Sequence, residues 1–428
     1  MLPAPPASSS TPAAVPEATR PARPTPAINP FRAIQRHPNF RYFWIGQTIS
    51  LIGSWMQQVG QGWLALELTN DAFLVGLVSA MGSLPVLLFS LYAGVLVDRM
   101  DKLRLVFIAQ VLFCLEAILL WWLTWSGQIT YEWLLALATM QGLVSAVEIP
   151  ARQSLFVELV GRDDLLDAIA LNSSGFNLAR IIGPSIAAIV IAQAGLAWCF
   201  GINALSYIAV LGGLFLITLP AFTPVVQRLT PLQGLTQGIR YMRSTPEVSA
   251  LMRIVAVYAI FGVPYLVLMP VIARDVLGTG ASGYGFLLTF VGIGALAGAL
   301  TLAARARRIR RGRLLMLSSY AFSILLIAFS FVRTVPLAAG VLLFTGLTMI
   351  VNSALANGIL QTFVPDHLRG RVMSAYVFVY VGLSPIGAIV AGAVARAVGA
   401  NWAIGGGGAI MLLYTIWAFW RHPSVKAL

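Results

Sequence analysis

Gly94-Val95-Leu96-Val97-Asp98-Arg99-Met100-Asp101-Lys102-Leu103-Arg104 is a knot of charge set between two long apolar stretches. A charged run this short, flanked by segments of membrane length, reads as a loop at a membrane face. The knot has an echo. A shift of 209 residues places Gly76 on Gly285, Arg99 on Arg308, Lys102 on Arg311 and Arg104 on Arg313 without a gap. At the same shift Leu159, Gly161 and Arg162 fall on Leu368, Gly370 and Arg371. Two distant stretches that share one offset predict a membrane bundle built twice along the chain. The copies differ at one place, because Asp98 falls on Arg307.

Composition agrees with a membrane setting. The chain is 58% hydrophobic and 10% charged, with a mean hydropathy of +0.84, whereas a soluble domain carries roughly 25% charged residues. Apolar runs recur from Arg41 to Trp420, and about twenty such residues cross a hydrocarbon core as one helix. The runs are continuous rather than alternating, which argues against membrane strands. The expected fold class is an all-α polytopic membrane protein with twelve transmembrane helices in two pseudo-symmetric six-helix bundles. The expected span cores are 42–65, 73–97, 104–125, 132–157, 165–193 and 197–219, then 249–272, 283–304, 314–332, 336–363, 372–396 and 402–420.

The expected domain plan follows from these spans. Residues 1–36 are a Pro/Ala-rich disordered tail without a secretory cleavage pattern, so the first span is its own insertion signal. Residues 37–219 and 248–421 are the two bundles. Residues 220–247 are a linker with Pro220, Pro224, Pro231 and Pro246 and one short amphipathic helix, and 422–428 are a second tail. All but four of the 28 Lys and Arg fall on the face that holds both termini. The exceptions are Arg274, Arg333 and Arg396 on the opposite face and Arg180 within a span. The positive-inside rule then puts both termini in the cytoplasm, and the same bias explains the net charge of +13 without nucleic acid. Trp121, Trp122, Trp125, Trp133, Trp198 and Trp402 mark the opposite interface.

Charged side chains inside hydrocarbon cost several kcal/mol unless paired or wet, so each is a candidate. Glu148 and Arg152, four apart on span four, share a face. Arg180 sits midway along span five. A switchable pair of Glu148 and Arg180 would let Glu148 carry a coupling proton, since a movable cation changes a buried carboxyl's hold on its proton. The other reading is a static ion pair with Arg152. Glu116 is a third buried acid candidate. Polar stripes mark span one at Ser54, Gln57, Gln58 and Gln61, and span ten at Asn352, Asn357 and Gln361. They face either a wet cavity or neighbouring helices. Tyr258 and Tyr265 on span seven could add aromatic contacts. No metal or cofactor site is expected. Cys114 and Cys199 lie in apolar segments, the three histidines are scattered, and there is no phosphate-cradling Gly-x4-Gly-Lys-Ser/Thr loop, which argues against ATP drive and against a membrane-embedded enzyme.

Gly94-x3-Asp98-Arg99-x2-Lys102-x-Arg104 resembles the loop signature of the major facilitator superfamily, with Asp101 where that signature has a second glycine. Asn39-Phe40-Arg41-Tyr42-Phe43-Trp44, Pro150-Ala151-Arg152-Gln153 and Pro365-Asp366-His367-Leu368-Arg369-Gly370-Arg371 resemble its bacterial branch of enterobactin exporters and macrolide efflux proteins. The resemblance implies a bacterial inner-membrane transporter whose two bundles alternate around a cavity lined by spans one, four, seven and ten. It implies Gly94, Asp98, Arg99, Lys102 and Arg104 as a gate, with Asp98 against the start of span eleven. It implies export of small amphipathic, drug- or siderophore-like molecules by proton antiport, with an importer or lipid flippase on the same fold as the alternative. Two family patterns depart here. The exporter motif of span five is reduced to Ala179-x3-Gly183-Pro184-x2-Ala187-Ala188, and the antiporter arginine expected before Gln141-Gly142 is Ala138. Oligomeric state is not legible.

Overall fold

A computed structural model of the protein describes residues 30–161, 163–219, 240–305 and 310–427. The Asp98 side chain, Arg162, Arg307, Arg308, the first 29 residues and linker residues 220–239 lie outside the described residues. All regular structure among the described residues is helical.

The first half holds α1 (Pro38–Thr69), α2 (Ala72–Arg99), α3 (Lys102–Trp125), α4 (Tyr131–Val160), α5 (Leu165–Ala194) and α6 (Ala197–Phe215). The second holds α7 (Pro246–Val276), α8 (Ala281–Arg305), α9 (Arg311–Ser330), α10 (Val335–Phe363), α11 and α12 (Ala400–Arg421). α11 runs as Asp366–Gly382 and Ser384–Val398, parting at Leu383 ahead of Pro385, whose ring cannot continue the ladder. α7 takes π turns at Tyr258–Gly262 and Ile272–Val276. Pro264 and Pro270 interrupt its hydrogen bonding, and wider turns absorb the defect.

Helix ends are written locally. Asn70 closes α1 in the left-handed region (φ 53), donating its N–H to the Leu66 carbonyl. The next residue, Asp71, caps α2 by accepting from the Phe73 N–H at 2.8 Å. Asp101 likewise caps α3, accepting from Leu103 at 2.9 Å and Arg104 at 3.2 Å. The acid that departs from the family loop pattern therefore starts a helix.

Packing repeats six helices on. α2 packs on α4, α1 on α5 and α6, and α3 on α4 and α6. Correspondingly α8 packs on α10, α7 on α11 and α12, and α9 on α10 and α12. The halves meet along two equivalent seams, α2 with α11 and α5 with α8. Gly76 permits the first, since a Cβ there would fall 2.5 Å from the Ala388 carbonyl oxygen. Its repeat partner Gly285 permits the second, where a Cβ would fall 2.8 Å from the Pro184 carbonyl oxygen.

Among the described residues eleven helices are long and apolar enough to cross a membrane. The twelfth expected span, α1, is 32 residues long but is not among them. Its Gln47, Gln57, Gln58, Gln61 and Glu67 dilute its hydropathy, and it is held by protein instead. The expected tail also ends in order: Pro30–Arg36 is a helix with Ala33 fully buried. Asp164, at the start of α5, accepts from His37 at 2.9 Å and pairs with Arg32 at 3.4 Å. The His37 hydrogen bond, helped by Arg32 and Arg36, holds the Asp164 carboxyl below its usual range.

Candidate functional site

Four groups of polar side chains stand out inside the bundles among the described residues. The first is a network in the core of the first half. Gln57 on α1 donates to both oxygens of Glu116 on α3, at 2.9 and 3.2 Å, and accepts from Asn203 on α6 at 2.7 Å. Gln57, Glu116 and Asn203 are fully buried. Ser54 hydrogen-bonds to the Ser50 carbonyl and approaches the Tyr207 hydroxyl at 3.4 Å. Gln57 and Ser54 thus tie α1 to α3 and α6. The polar stripe reads the same in either role, because an amide satisfied by a neighbour and one satisfied by water occupy the same helical positions. Gln61 is also buried, whereas Gln58 is exposed.

The second group is Glu148 with Arg152. Arg152 donates from Nε to Glu148 at 2.7 Å, and Gln110 on α3 reaches the same carboxylate oxygen at 3.4 Å. Glu148 is 5% exposed. The switchable pair expected between Glu148 and Arg180 is not formed. One turn of α4 brings Arg152 to the carboxylate, while Arg180 on α5 turns elsewhere.

The third group lies on α10. Gln361 donates to Asn357 at 2.5 Å, and Asn352 is buried and donates to Ser319 on α9 at 2.6 Å. The shift of 209 residues carries Glu148 onto Asn357, Arg152 onto Gln361 and Gln110 onto Ser319. The same i,i+4 polar pair therefore stands in both halves, charged in the first and neutral in the second. This correspondence is present in the sequence and is the signal that links the two stripes.

The fourth group crosses the seam. Arg180, midway along α5, donates to Asn177 at 2.9 Å, while its Nε is buried without a hydrogen-bond partner. It lies within electrostatic reach of Tyr265, Tyr380 and Tyr258 of the second half. Tyr258 and Tyr376 each stack with Tyr380, at centroid distances of 6.2 and 5.8 Å. Tyr258 and Tyr265 are buried among Phe322 and Met349 rather than lining open space. α8 presses on this point of α5, since a Cβ on Gly292 would meet Ile181 and the Arg180 carbonyl. Ser185 and Thr289 also hydrogen-bond across the seam at 3.0 Å.

The two faces differ in how they are joined. On the face away from the termini, Arg274 donates to Asn70 at 2.6 Å and Arg396 pairs with Asp71 at 3.3 Å. Two of the three basic residues expected there as topology outliers therefore clasp one tight turn from across the seam. On the basic face several ion pairs lie within the first half. Lys102 pairs with Glu158 at 2.6 Å, Arg104 with Asp101 at 3.8 Å, and Asp164 with the N-terminal helix. Of the expected gate residues, Arg99 is exposed, and a Cβ on Gly94 would meet nothing within 4 Å.

Among the described residues, long helices in two equivalent bundles, with buried polar groups inside the bundles and at their seam, make an architecture of the major facilitator type. Among the described residues no three His, Cys, Asp or Glu gather as a metal site. A family model described as "Transmembrane secretion effector" matches residues 27–427, and the chain belongs to that family of the major facilitator superfamily. It is 28% identical to the staphyloferrin A transporter of Staphylococcus aureus, over 82% of this chain and 87% of that protein. It is 27% identical to the enterobactin exporter EntS of Escherichia coli, over 84% of this chain and 86% of that protein. Among solved structures, a peptide transporter superposes with a TM-score of 0.72 at 12% identity, covering 94% of this chain and 99% of that one. A D-xylose–proton symporter superposes with a TM-score of 0.70 at 12% identity, covering 94% and 100%. This is a multi-pass membrane transporter and not an enzyme.

Proposed function

We propose that the chain exports small amphipathic molecules of siderophore or drug type from the bacterial cytoplasm, by alternating access coupled to proton entry. Both termini lie in the cytoplasm in this reading, because the basic loops share their face. The names of two relatives, an exporter of enterobactin and a transporter of staphyloferrin A, support the cargo class. The clasped opposite face fits a carrier open to the cytoplasm.

The observation that carries the coupling is the buried Glu148–Arg152 pair with its neutral counterpart Asn357–Gln361. A pair needed only to hold a helix would serve in neutral form in both halves. Replacing a buried ion pair by neutral groups is often no loss to stability, so charge kept in one copy points to a use for the charge. Glu148 takes a proton when Arg152 is drawn away and releases it when the pair re-forms. Inside-out vesicles energised with a pH gradient test this: enterobactin accumulates in them and dissipates the gradient on addition. If Glu148→Gln transports at the wild-type rate with unchanged pH dependence, the coupling role of Glu148 fails. If the wild type leaves the gradient untouched, proton antiport itself fails.

A further inference from the structure

Glu116 is the one acidic side chain among the described residues that is fully buried, and the coupling scheme above does not use it. Among those residues no cation pairs with it. Its partner is the Gln57 amide of α1, which donates to both carboxyl oxygens at 2.9 and 3.2 Å. An ionised carboxylate enclosed in this way without a counter-charge is costly, and one bound proton removes the cost. The shift of 209 residues carries Gln57 onto Leu266 and Glu116 onto Leu325, so the acid and its amide are particular to the first half.

The groups behind Gln57 suit both charge states. Gln57 accepts from the Asn203 amide at 2.7 Å, and Asn203 Oδ1 accepts from the Ser206 hydroxyl at 3.0 Å. The hydrogens of this chain all point toward Glu116, which suits a carboxylate. Turning both amides over reverses the chain, because an amide then exchanges its donor and acceptor edges. The protonated carboxyl would donate to Gln57, Gln57 to Asn203, and Asn203 to Ser206. The Ser206 proton keeps an acceptor in the Asn203 carbonyl oxygen at 2.7 Å. Each link survives in either direction. Glu148 differs, since the guanidinium of Arg152 can only donate and has to move before that carboxyl changes state.

The helices around Glu116 bring few other charges. α1 has no titratable group between Tyr42 and Glu67. α2 has no charged side chain between Ala72 and Val97, and its Tyr92 is exposed. α6 brings Cys199 and Tyr207, whose hydroxyl meets Ser54 at 3.4 Å. On α3 itself Cys114 donates to the Ala204 carbonyl. α4 brings Glu148 and Arg152, which reach α3 at Gln110, about 9 Å along the helix from Glu116.

We propose that Glu116 is a second proton-binding site, that it binds and releases a proton within the working pH range, and that the proton reverses the Gln57–Asn203–Ser206 chain joining α1 to α3 and α6. The site rests on the proton-antiport reading for its use but not for its test, which is made on the resting protein without a gradient.

Infrared difference spectra of the purified full-length protein in detergent micelles, taken between about pH 5 and about pH 9, test it. The wild type should lose the carbonyl stretch of a buried protonated carboxyl across that range. Glu116→Gln should lack the change, and Glu148→Gln should keep it. Gln57→Leu takes the donor from the carboxylate, so the step should move up by about one pH unit, a roughly tenfold weaker release of the proton. A change that survives in Glu116→Gln, one that disappears in Glu148→Gln instead, or a band constant or missing over the whole range would each overturn the site. An unmoved step in Gln57→Leu would overturn the role of the chain. If Glu116→Gln does not fold, Glu116→Asp decides. It keeps a carboxyl drawn back by one methylene, so the band should remain with its step displaced, and a wild-type step would overturn the assignment. Failed antiport in vesicles would leave a Glu116 step standing, and an absent step would leave export coupled to Glu148 standing.

Discussion

α4 and α10 occupy equivalent places in the two halves and hold the same polar pair one helical turn apart, yet α4 writes it as Glu148–Arg152 and α10 as Asn357–Gln361. The α10 pair is neutral and more exposed, so hydrogen bonds suffice there. What the charged version adds is the ability to change state when one partner moves. The two seams teach the reverse. Gly76 and Gly285 are the same residue in the same role, so close approach of the halves is a requirement that both copies meet alike.

The sharpest way to break the comparison is to strand one partner of the α4 pair. Glu148→Gln leaves Arg152 without its counter-charge, and we expect a loss of about 3 kcal/mol in thermal unfolding in micelles. The double variant Glu148→Asn/Arg152→Gln writes the α10 pair into α4. It should recover most of that stability and still lose pH-dependent transport. A double variant that transports normally would make the two copies equivalent in function as well as in place.

Next in size are the seams. Gly76→Leu drives a side chain into the Ala388 carbonyl and should open the α2–α11 seam, cutting transport about tenfold or more for a clash of about 2 kcal/mol. Gly285→Leu should act equally on the α5–α8 seam. Alkylation of a cysteine placed at Thr289 reports both openings, and a large difference between the two variants would show that the seams are not equivalent.

The clasped turn gives a smaller effect. Asp71→Ala removes a helix cap and a pair across the halves, for about 1–2 kcal/mol. Arg396→Gln removes only the exposed pair, for about 1 kcal/mol or less. The order of the two unfolding temperatures checks the assignment of the cap. Smallest is Gly94→Ala, which meets nothing and should gain about 0.5–1 kcal/mol from helix propensity. If it instead slows transport, the basic face closes onto that residue during the cycle.

Most of the architecture was legible because spans, loop charge and repeat offset are local signals. The expected core 336–363 meets a helix over Val335–Phe363, and 165–193 meets Leu165–Ala194. The i,i+4 relation of Glu148 and Arg152 was legible for the same reason. That Arg180 would bond Asn177 on its own helix and not Glu148 was not legible, since it depends on how α5 is rotated against α4, which periodicity leaves open. Which of the two readings of Gln57 holds was not legible, because its partners Glu116 and Asn203 come from two other helices. Arg274 and Arg396 looked like topology outliers because only the folded seam brings them to the Asn70–Asp71 turn.

The low hydropathy of α1 has a consequence for how the protein is made. During synthesis α1 leaves the ribosome before α2–α12, yet its hydropathy falls below theirs. The amide of Gln57 finds Glu116 and Asn203 only after α3 and α6 have followed it out. α1 must therefore wait beside the insertion machinery for α6, and the first half would enter the bilayer as a group. Crosslinking of ribosome-bound chains would show this as α1 contacting the insertion channel until α6 emerges, and early contact of α1 with lipid would contradict it.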